Sequence, residues 1–356
     1  MTYRVIQWAT GVVGANAVSA IVGHPDLELV GAWVHSENKE GRDVGEICGL
    51  KPVGVRATRD KDALLAMPAD CICCALSGDL WMGVDTDPLI DELTSMLRSG
   101  KNVVNATMPA LINPKYVDES IYKRLQEACL EGGTTFYTDG IDPGFGNVGL
   151  ALAALQVSSN TRSVRMYEIL NYDTWHDPAM DTFFGFGRKT LDNTLIATPG
   201  VLKSIYASTV CGVAESMGVQ VDEIVEEIDV VYADEPIDLP GTGFHVAPGT
   251  ISGVRFKVKG MIGGEARVIV DHVTKLREKD FPEVPFDGGG YRVEVDGEPR
   301  VKLDLTLSSD TKDHGVSALA TVATANVNAI PLVCEAPPGV LTYMDLKPHP
   351  SKMKSF

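Results

Sequence analysis

The first part of the chain alternates short apolar runs with stretches whose apolar residues recur at helical spacing. Residues 3–8 and 27–34 are typical of strands, and the segment 11–22 between them is typical of a helix. Residues 71–76 are apolar at nearly every position, as expected of a strand that is covered on both faces. Asp87-Pro88 predicts the start of another helix. This alternation predicts a parallel, doubly wound α/β sheet.

The pattern changes after about residue 150. Thr198-Pro199 predicts the start of a long helix, and two pairs of alternating segments follow it. These pairs surround Gly263-Gly264 and Asp296-Gly297, which are two-residue turn signals of β-hairpins. The second part is therefore predicted to be α+β with a largely antiparallel, open-faced sheet. Residues 314–330, rich in Ala and Thr, predict a closing helix.

Charge and composition limit the classes of partner. The 356 residues include 31 Lys and Arg and 48 Asp and Glu, a formal charge of −17, and 44% are hydrophobic. That hydrophobic content is enough for a packed core and argues against global disorder. The acidic balance argues against nucleic acid and against an anionic membrane as partners, because both require a basic surface.

The positions of the cysteines and the apolar stretches near the chain ends bear on the cellular location. Three of the seven cysteines lie within residues 71–74, in one apolar run, which favours buried, reduced thiols. A zinc site is the alternative, but no second Cys or His pair stands at ligand spacing, so no metal is expected. The apolar stretches near the ends are shorter than a bilayer requires. We therefore expect a cytoplasmic protein.

The turn between the first strand and the first helix is a candidate phosphate-binding loop. Gly11 allows the backbone to approach a pyrophosphate, and Gly14 allows the helix to pack closely on the sheet. The free N–H groups and the dipole of the helix N-terminus favour an anion there. Ala9 replaces the first Gly of the usual pattern, so a purely structural turn is the alternative. The predicted cofactor-binding residues here are Ala9, Thr10, Gly11, Val12, Val13 and Gly14.

The end of the second strand bears on the type of dinucleotide. An acidic residue there would hold the ribose 2′-hydroxyl of NAD. Instead, Ser36 and Lys39 follow the strand, and a hydroxyl with a point charge suits a 2′-phosphate. Glu37 stands one position after the place of the usual acid, and as an acid it favours NAD over NADP. NADP is the preferred cofactor and NAD the alternative, unless these are ordinary polar loop residues.

Several segments together resemble a known group of oxidoreductases. Residues 8–14 resemble the nucleotide loop of dihydrodipicolinate reductases, and Gly140-Ile141-Asp142-Pro143-Gly144-Phe145 resembles a segment of diaminopentanoate dehydrogenases and native amine dehydrogenases. Residues 247–253 and 327–339 also look like that group. The resemblance implies a Rossmann domain, a dimer-forming α+β substrate domain and a final helix that returns to the first domain. It also implies NAD(P)-dependent hydride transfer to a carbon that bears nitrogen or oxygen.

The pattern change and the resemblance together set the predicted domains. Residues 1–147 form the dinucleotide-binding Rossmann domain, residues 148–312 the substrate and dimerisation domain, and residues 313–356 the segment that returns to the first domain. The expected assembly is a homodimer that acts on a small molecule.

One departure from the group leaves the reaction open. Amine dehydrogenases of this group carry a Glu in the loop after the fifth strand, where it handles ammonia and protons. The matching residues 105–114 contain no acid, and the paired His and Lys of true dihydrodipicolinate reductases are absent as well. Both C=O/CH–OH and C=N/CH–NH2 chemistry therefore remain open. A regulatory protein that binds NADPH without turnover is the alternative from another class.

Candidate catalytic residues come from two segments. His176 titrates near neutral pH and stands between two acids, and Tyr172 in the same stretch is able to donate a proton. The alternative for both is a polar loop at a strand end. Asp142 replaces the Asn of the related segment, and it is either a base or carboxamide ligand near the nicotinamide, or a cap of the turn before Pro143.

The remaining candidates surround the two ligands. Loops at the carboxyl ends of strands face the crevice of an open α/β sheet, so we expect further cofactor contacts there. These are Leu76, Ser77, Asn105 and Thr107. An apolar substrate wall is predicted from Met108, Phe145, Trp175 and Phe184. The alternative for these apolar side chains is ordinary core packing. If they do form the wall, the substrate is fairly apolar.

Overall fold

The computed structural model describes residues 2–77, 86–172, 182–239, 243–284, 288–308 and 314–352. The chain forms two compact units. Unit 1 consists of Met1–Ile141 with Leu319–Phe356, and unit 2 consists of Asp142–Ala318. The divisions fall a few residues from the predicted boundaries at 147 and 312. Residues 142–149 belong to unit 2 because the helical turn at Phe145–Gly149 packs on strands of that unit.

Unit 1 contains a seven-stranded sheet in its described residues, and every neighbouring pair in it is parallel. The strand order is β15-β6-β5-β4-β1-β2-β3. The strands are β1 (Tyr3–Trp8), β2 (Leu27–Trp33), β3 (Ala57–Thr58), β4 (Cys71–Cys74), β5 (Asn102–Asn105), β6 (Thr135–Thr138) and β15 (Gly339–Val340). The doubly wound parallel sheet predicted from the alternating pattern is confirmed.

Helices cover the sheet of unit 1. They are α1 (Val12–Gly23), α2 (Val44–Ile47), α3 (Lys61–Ala66), α4 (Asp87–Arg98), α5 (Glu119–Gly132) and α8 (His314–Glu335), of which α8 begins in unit 2. Helix α4 begins at the predicted Asp87-Pro88, and its apolar stripe is fully buried against the sheet. Such a stripe stabilises a helix chiefly through the apolar area that it removes from water.

The C-terminal segment returns to the parallel sheet, as the resemblance implied. The expectation that every apolar stretch near the ends is too short for a bilayer was wrong for α8, because its residues Ser317–Glu335 are long and apolar enough by length and composition. Their inward side chains Val327, Ile330 and Val333 are instead buried in the core of unit 1, which is the environment of a core helix. Strand β15 then adds beside β6, with Gly339 opposite Thr135.

Unit 2 is built on a six-stranded sheet of order β14-β13-β7-β12-β11-β8 within its described residues. Only the pairing of β7 with β12 is parallel in this sheet as described, so the predicted largely antiparallel sheet is confirmed. Its strands are β7 (Ser159–Asn171), β8 (Glu223–Tyr232), β11 (Ile251–Ile262), β12 (Glu265–Lys275), β13 (Gly289–Glu298) and β14 (Val301–Leu305). A separate short pair is formed by β9 (Ile237–Asp238) and β10 (His245–Val246).

The two faces of this sheet carry different side chains. Helices α6 (Leu150–Leu155) and α7 (Val201–Ser216) pack on one face, where alternate residues such as Val164 and Met166 are buried. The opposite face carries ion pairs, among them Arg165 with Asp271. Because strand side chains alternate between faces, every second residue of β7 and β12 points to the helices. These helix-facing residues include two buried titratable side chains, Glu168 on β7 and His272 on β12.

Candidate functional site

The predicted phosphate loop lies at the carboxyl edge of the parallel sheet. Helix α1 begins at Val12, directly after Gly11, and no side chain among the described residues caps this end. The first N–H groups of α1 are therefore available to an anion. Ala9 has a φ of 72°, the left-handed conformation that glycine adopts freely. The loop thus keeps the backbone shape of the glycine pattern although Ala stands at its first position.

The two glycines of the loop have different roles. A Cβ atom at Gly14 would lie 2.2 Å from the carbonyl oxygen of Ala9, so only Gly allows α1 to pack this closely on the loop. A Cβ atom at Gly11 would meet nothing within 4 Å, which leaves open space in front of the helix end. Open space beside free N–H groups fits the pyrophosphate of a dinucleotide.

Lys39 lies beside this loop. Its Nζ atom donates to the carbonyl oxygen of Thr10 at 3.0 Å and contacts the Thr10 hydroxyl at 3.2 Å. The exposed Ser36 precedes the short 3-10 turn Glu37–Lys39 that carries this lysine. A positive charge is therefore held next to the phosphate loop, in a protein whose net charge is negative.

Three of the other predicted cofactor residues form a hydrogen-bonded link between strand ends. The Thr107 hydroxyl accepts from the Leu76 N–H at 2.8 Å, and the Thr107 N–H donates to Asn105 Oδ1 at 3.1 Å. Asn105 Nδ2 in turn donates to the Thr138 hydroxyl at 3.1 Å. The side chains of Asn105 and Thr107 are buried and hold the ends of β4, β5 and β6 together. Ser77 is exposed, and cofactor contact by these residues stays a prediction.

The predicted catalytic and substrate residues are distributed between the units. His176 and Trp175 lie outside the described residues. Met108 is buried in the hydrophobic core of unit 1. In unit 2, Tyr172 and Phe184 are buried with ring centroids 6.3 Å apart, whereas Phe145 is 42% exposed. Their roles toward substrate stay predictions, as do those of the other candidates.

Unit 2 contains a buried group of titratable side chains that includes the predicted Asp142. Glu168 on β7 and His272 on β12 stand directly opposite each other in the strand register. His272 Nδ1 lies 2.8 Å from Glu168 Oε2 and 4.0 Å from Asp142 Oδ2. The short contact is an ion pair rather than a straight hydrogen bond. We refer to these three residues as the acid–imidazole cluster.

Each member of the cluster is oriented by a further polar group. The Tyr291 hydroxyl donates to Glu168 Oε1 at 2.8 Å, and Asn147 Nδ2 donates to Asp142 Oδ1. His272 Nε2 lies 2.7 Å from the Thr274 hydroxyl. The His272 ring is also stacked between two aromatic rings, with centroids 5.9 Å and 4.5 Å away, those of Phe184 and Phe256. These contacts hold Asp142 Oδ2, Glu168 Oε2 and His272 Nδ1 facing one another.

Burial and charge shift the protonation of all three groups. Burial alone would lower the pKa of His272, but the Glu168 and Asp142 carboxylates raise it to about 9. Burial and the charge of Glu168 raise the pKa of Asp142 well above its ordinary value. Burial would also raise the pKa of Glu168, but the His272 cation lowers it. At neutral pH the favoured state is a charged Glu168–His272 pair with a proton on Asp142.

The donor types also allow a metal to be considered. The three donor atoms lie within 4.8 Å of one another, a spacing that metal ligands share. Protons account for the same spacing without a metal. Two carboxylates and a neutral imidazole carry two negative charges, and the proton on Asp142 together with the proton on His272 neutralises them. We therefore interpret the cluster as a group that holds protons.

Sequence reasoning missed Glu168 and His272 because both lie inside apolar strands. The sequence does carry a signal, since each of the two strands has a titratable residue in line with the apolar residues of its helix-facing side. A charge at such a position requires a partner. The pairing of β7 with β12 was needed to identify that partner, and single-strand patterns do not contain it.

Comparison with known proteins shows the family. Residues 5–73 match the family model described as dihydrodipicolinate reductase, N-terminus, and residues 192–355 match the 2,4-diaminopentanoate dehydrogenase C-terminal domain. An amine dehydrogenase of Streptomyces virginiae is 30% identical over 97% of this chain and 96% of its own length. The chain belongs to the amine dehydrogenase family. It is an NAD(P)-dependent dehydrogenase.

Further relatives agree with this assignment. A 4-hydroxy-tetrahydrodipicolinate reductase of Synechococcus elongatus is 40% identical over 63 residues, which are 18% of this chain and 23% of that protein. The amine dehydrogenase structure from Mycobacterium smegmatis superposes with a TM-score of 0.75 at 19% identity, over 99% of this chain and 98% of that chain. The enzyme therefore shares the fold of that structure, as the resemblance predicted.

Proposed function

We propose that the enzyme transfers a hydride between NADP(H) and the carbon of a C–N bond in a small, largely apolar amine, and that the acid–imidazole cluster handles the accompanying proton. The observation that carries this proposal is the buried contact of Glu168 with His272 beside Asp142. A dehydrogenase of this family that lacks the loop Glu needs another group for protons, and the cluster provides two carboxyls.

The proton balance follows from the substrate's charge. An amine enters as an ammonium ion and must lose one N–H proton before its C–H hydrogen leaves as hydride. The resulting iminium takes up water and releases an ammonium ion, which leaves a ketone. Glu168 is the acceptor for that proton, because it is the ionised carboxyl of the cluster at neutral pH, and the two neighbouring carboxyls then release a proton as a unit. Tyr291 and Thr274 hold the cluster in the orientation that this requires.

The residues around the phosphate loop fit a dinucleotide. The N–H groups at the start of α1 would hold the pyrophosphate, and Lys39, with Ser36, would hold a 2′-phosphate. When bound, the nicotinamide supplies the hydride chemistry. Lys39 supports the preference for NADP over NAD, because its charge already lies next to Thr10.

One observation favours two alternatives that the experiment must separate. The loop at residues 105–114 contains no acid, which favours C=O/CH–OH chemistry over amination. The same absence motivates the NADPH-binding regulator without turnover. The amine reaction is supported more strongly, for two reasons. The chain is similar to an amine dehydrogenase over nearly its whole length, and the acid–imidazole cluster is able to exchange protons.

The test is the formation of reduced nicotinamide, followed by absorbance, with matched amines and alcohols that share one carbon skeleton. The proposal expects turnover with primary amines and NADP, and little with the corresponding alcohols. Turnover with the alcohols alone would support carbonyl chemistry. Tight cofactor binding without turnover of any member of a broad panel would support the regulator.

We also propose a homodimer, formed through the face of the unit 2 sheet that carries ion pairs. That face presents paired charges such as Arg292 with Asp304, and an open sheet face must be either solvated or covered. Sedimentation velocity tests it: a single species of twice the chain mass supports the dimer, and a monomer at micromolar concentration contradicts it.

A further inference from the structure

The carboxyl end of β6 terminates in a buried acid that the proposed mechanism does not use. The Asp139 side chain is 1% exposed. Its carboxylate accepts the Gly140 N–H at 2.7 Å and the Tyr137 hydroxyl at 3.2 Å. His349 Nε2 lies 3.5 Å from Asp139 Oδ2. Removal of the cationic partner of a buried carboxylate is strongly destabilising, so the contact of His349 with Asp139 should stabilise this end of β6.

The main chain of Asp139 is held as well, by helix α8. Asn326 Nδ2 donates to the Asp139 carbonyl at 2.6 Å, and Asn326 Oδ1 accepts the Asp139 N–H at 3.2 Å. The Asn326 side chain is fully buried. Its amide therefore takes the place of a neighbouring strand at the point where β6 leaves the sheet.

His349 comes from the last part of the C-terminal return. After β15 the chain passes Tyr343 and brings the His349 ring against Tyr137, with centroids 6.3 Å apart in an edge-to-face arrangement. His349 Nδ1 lies 3.2 Å from the Lys347 carbonyl oxygen. A carbonyl and a carboxylate only accept hydrogen bonds, so the ring donates from both nitrogens only as an imidazolium.

We propose that Asn326 and His349 form a clamp on Asp139 that holds the carboxyl end of β6 in the conformation that binds the dinucleotide. The carboxyl ends of the strands line the ligand crevice of an open α/β sheet, so the position of this strand end affects the cofactor site. Both residues act through Asp139 and are positioning residues. The clamp therefore gives the C-terminal segment after β15 a role in cofactor affinity, in addition to its packing on the sheet.

The clamp depends on pH through the His349 imidazolium. Burial lowers the pKa of His349, but the Asp139 carboxylate and the Lys347 carbonyl raise it above its ordinary value. Among the described residues, the hydroxyls of Tyr137 and Tyr343 also interact with Asp139, and burial raises the pKa of both, so neither ionises near neutral pH. Asp345 is a further carboxyl that acts on Tyr137. The clamp is closed below the pKa of His349 and loosens above it.

The experiment compares NADPH affinity by fluorescence titration, from pH 6 to 9, for the full-length enzyme and its variants. His349→Ala should bind roughly three- to tenfold more weakly at low pH, with a flatter pH profile than the parent. His349→Lys keeps the charge across this range, so its affinity should stay near the low-pH value of the parent. His245→Ala is the control, because His245 also pairs with an acid, Asp238, but is exposed.

Two results would overturn the clamp. One is an affinity and pH profile of His349→Ala that match those of the parent. The other is a loss in His349→Lys equal to that in His349→Ala, since charge and reach would then be irrelevant. If circular dichroism shows that His349→Ala does not fold, the comparison of His349→Lys with His245→Ala still tests the clamp. A high NADPH affinity of His349→Lys that does not change with pH supports the clamp. An affinity of His349→Lys that declines with rising pH as in the parent overturns it.

Discussion

His272 Nδ1 lies 2.8 Å from Glu168 Oε2 across two parallel strands, with both side chains more than nine-tenths buried. Such a pair is stable only when each ion has its partner and its remaining polar atoms are satisfied. Tyr291 and Thr274 supply those remaining contacts. The sheet of unit 2 therefore holds a charged group inside an aromatic environment, and Asp142 adds a second carboxyl to it.

Removal of the imidazole should leave the buried Glu168 carboxylate without its cation, beside the protonated Asp142. We expect His272→Asn to lower the free energy of unfolding by about 3 kcal/mol or more, as found when one partner of a buried pair is lost. Turnover should fall by about tenfold or more, because proton transfer loses its tuned group. Chemical denaturation and steady-state rates measure the two effects. His245→Asn, in an exposed pair, should change neither, and equal effects of both variants would contradict the role of the cluster.

The stability of the enzyme should depend on pH through His272. Its pKa is raised from 6.5 to about 9 in the folded chain, so its contribution is complete below pH 6.5 and is lost as the pH rises toward 9. The raised pKa of Asp142 acts in the same direction. Denaturant titrations should show a loss of a few kcal/mol over this range, and His272→Asn should show a smaller one. A stability that is constant from pH 6.5 to 9 in the parent would contradict the pKa assignment.

Most of the fold was predictable from the sequence, since local patterns determine it. The buried run at Cys71–Cys74, the helix start at Asp87-Pro88 and the turn at Gly263-Gly264 each carry a short-range signal that tertiary contacts do not reverse. The turn predicted at Asp296-Gly297 was wrong in position, because pairing with β7 extends β13 to Glu298 and the chain turns only after it. The domain boundaries were less precise. The helical turn at Phe145–Gly149 follows the parallel sheet in sequence but packs in unit 2, which no local pattern indicates.

The candidate site was only partly predictable. The phosphate loop has a contiguous motif, so its residues could be predicted in order, and their contact with a cofactor stays a prediction. The acid–imidazole cluster combines positions more than a hundred residues apart in the chain, and it depends on the register of β7 against β12. Asp142 was identified because it departs from a related segment. Glu168 and His272 have no such neighbour in sequence, and periodicity assigns them to the core.

The two loop glycines should separate packing from binding. Gly11→Ala has open space for its methyl group, so unfolding should change little while NADPH affinity falls by tenfold or more, as roughly expected when a ligand contact is blocked. Gly14→Ala places its methyl group against the Ala9 carbonyl, so stability and affinity should both fall. Thermal unfolding with and without NADPH measures both. Equal stability losses in the two variants would contradict this division.

Lys39 should set the preference between the two dinucleotides. Lys39→Ala should weaken NADP binding by about tenfold or more, as expected for a lost hydrogen bond to a charged group, and leave NAD binding nearly unchanged. Isothermal titration with both cofactors measures this, and Lys51→Ala, an exposed lysine in unit 1, is the control. Equal losses for NAD and NADP would show that Lys39 only supports the loop through Thr10.

The proposed reaction forms and breaks a C–N bond with the help of the acid–imidazole cluster. The most direct measurement supplies a ketone, NADPH and isotope-labelled ammonia, and identifies the product by mass spectrometry. We predict a labelled amine, formed in proportion to the NADPH consumed, and a yield reduced by about tenfold or more in Asp142→Asn. An alcohol product at the same rate with and without ammonia would contradict this reaction.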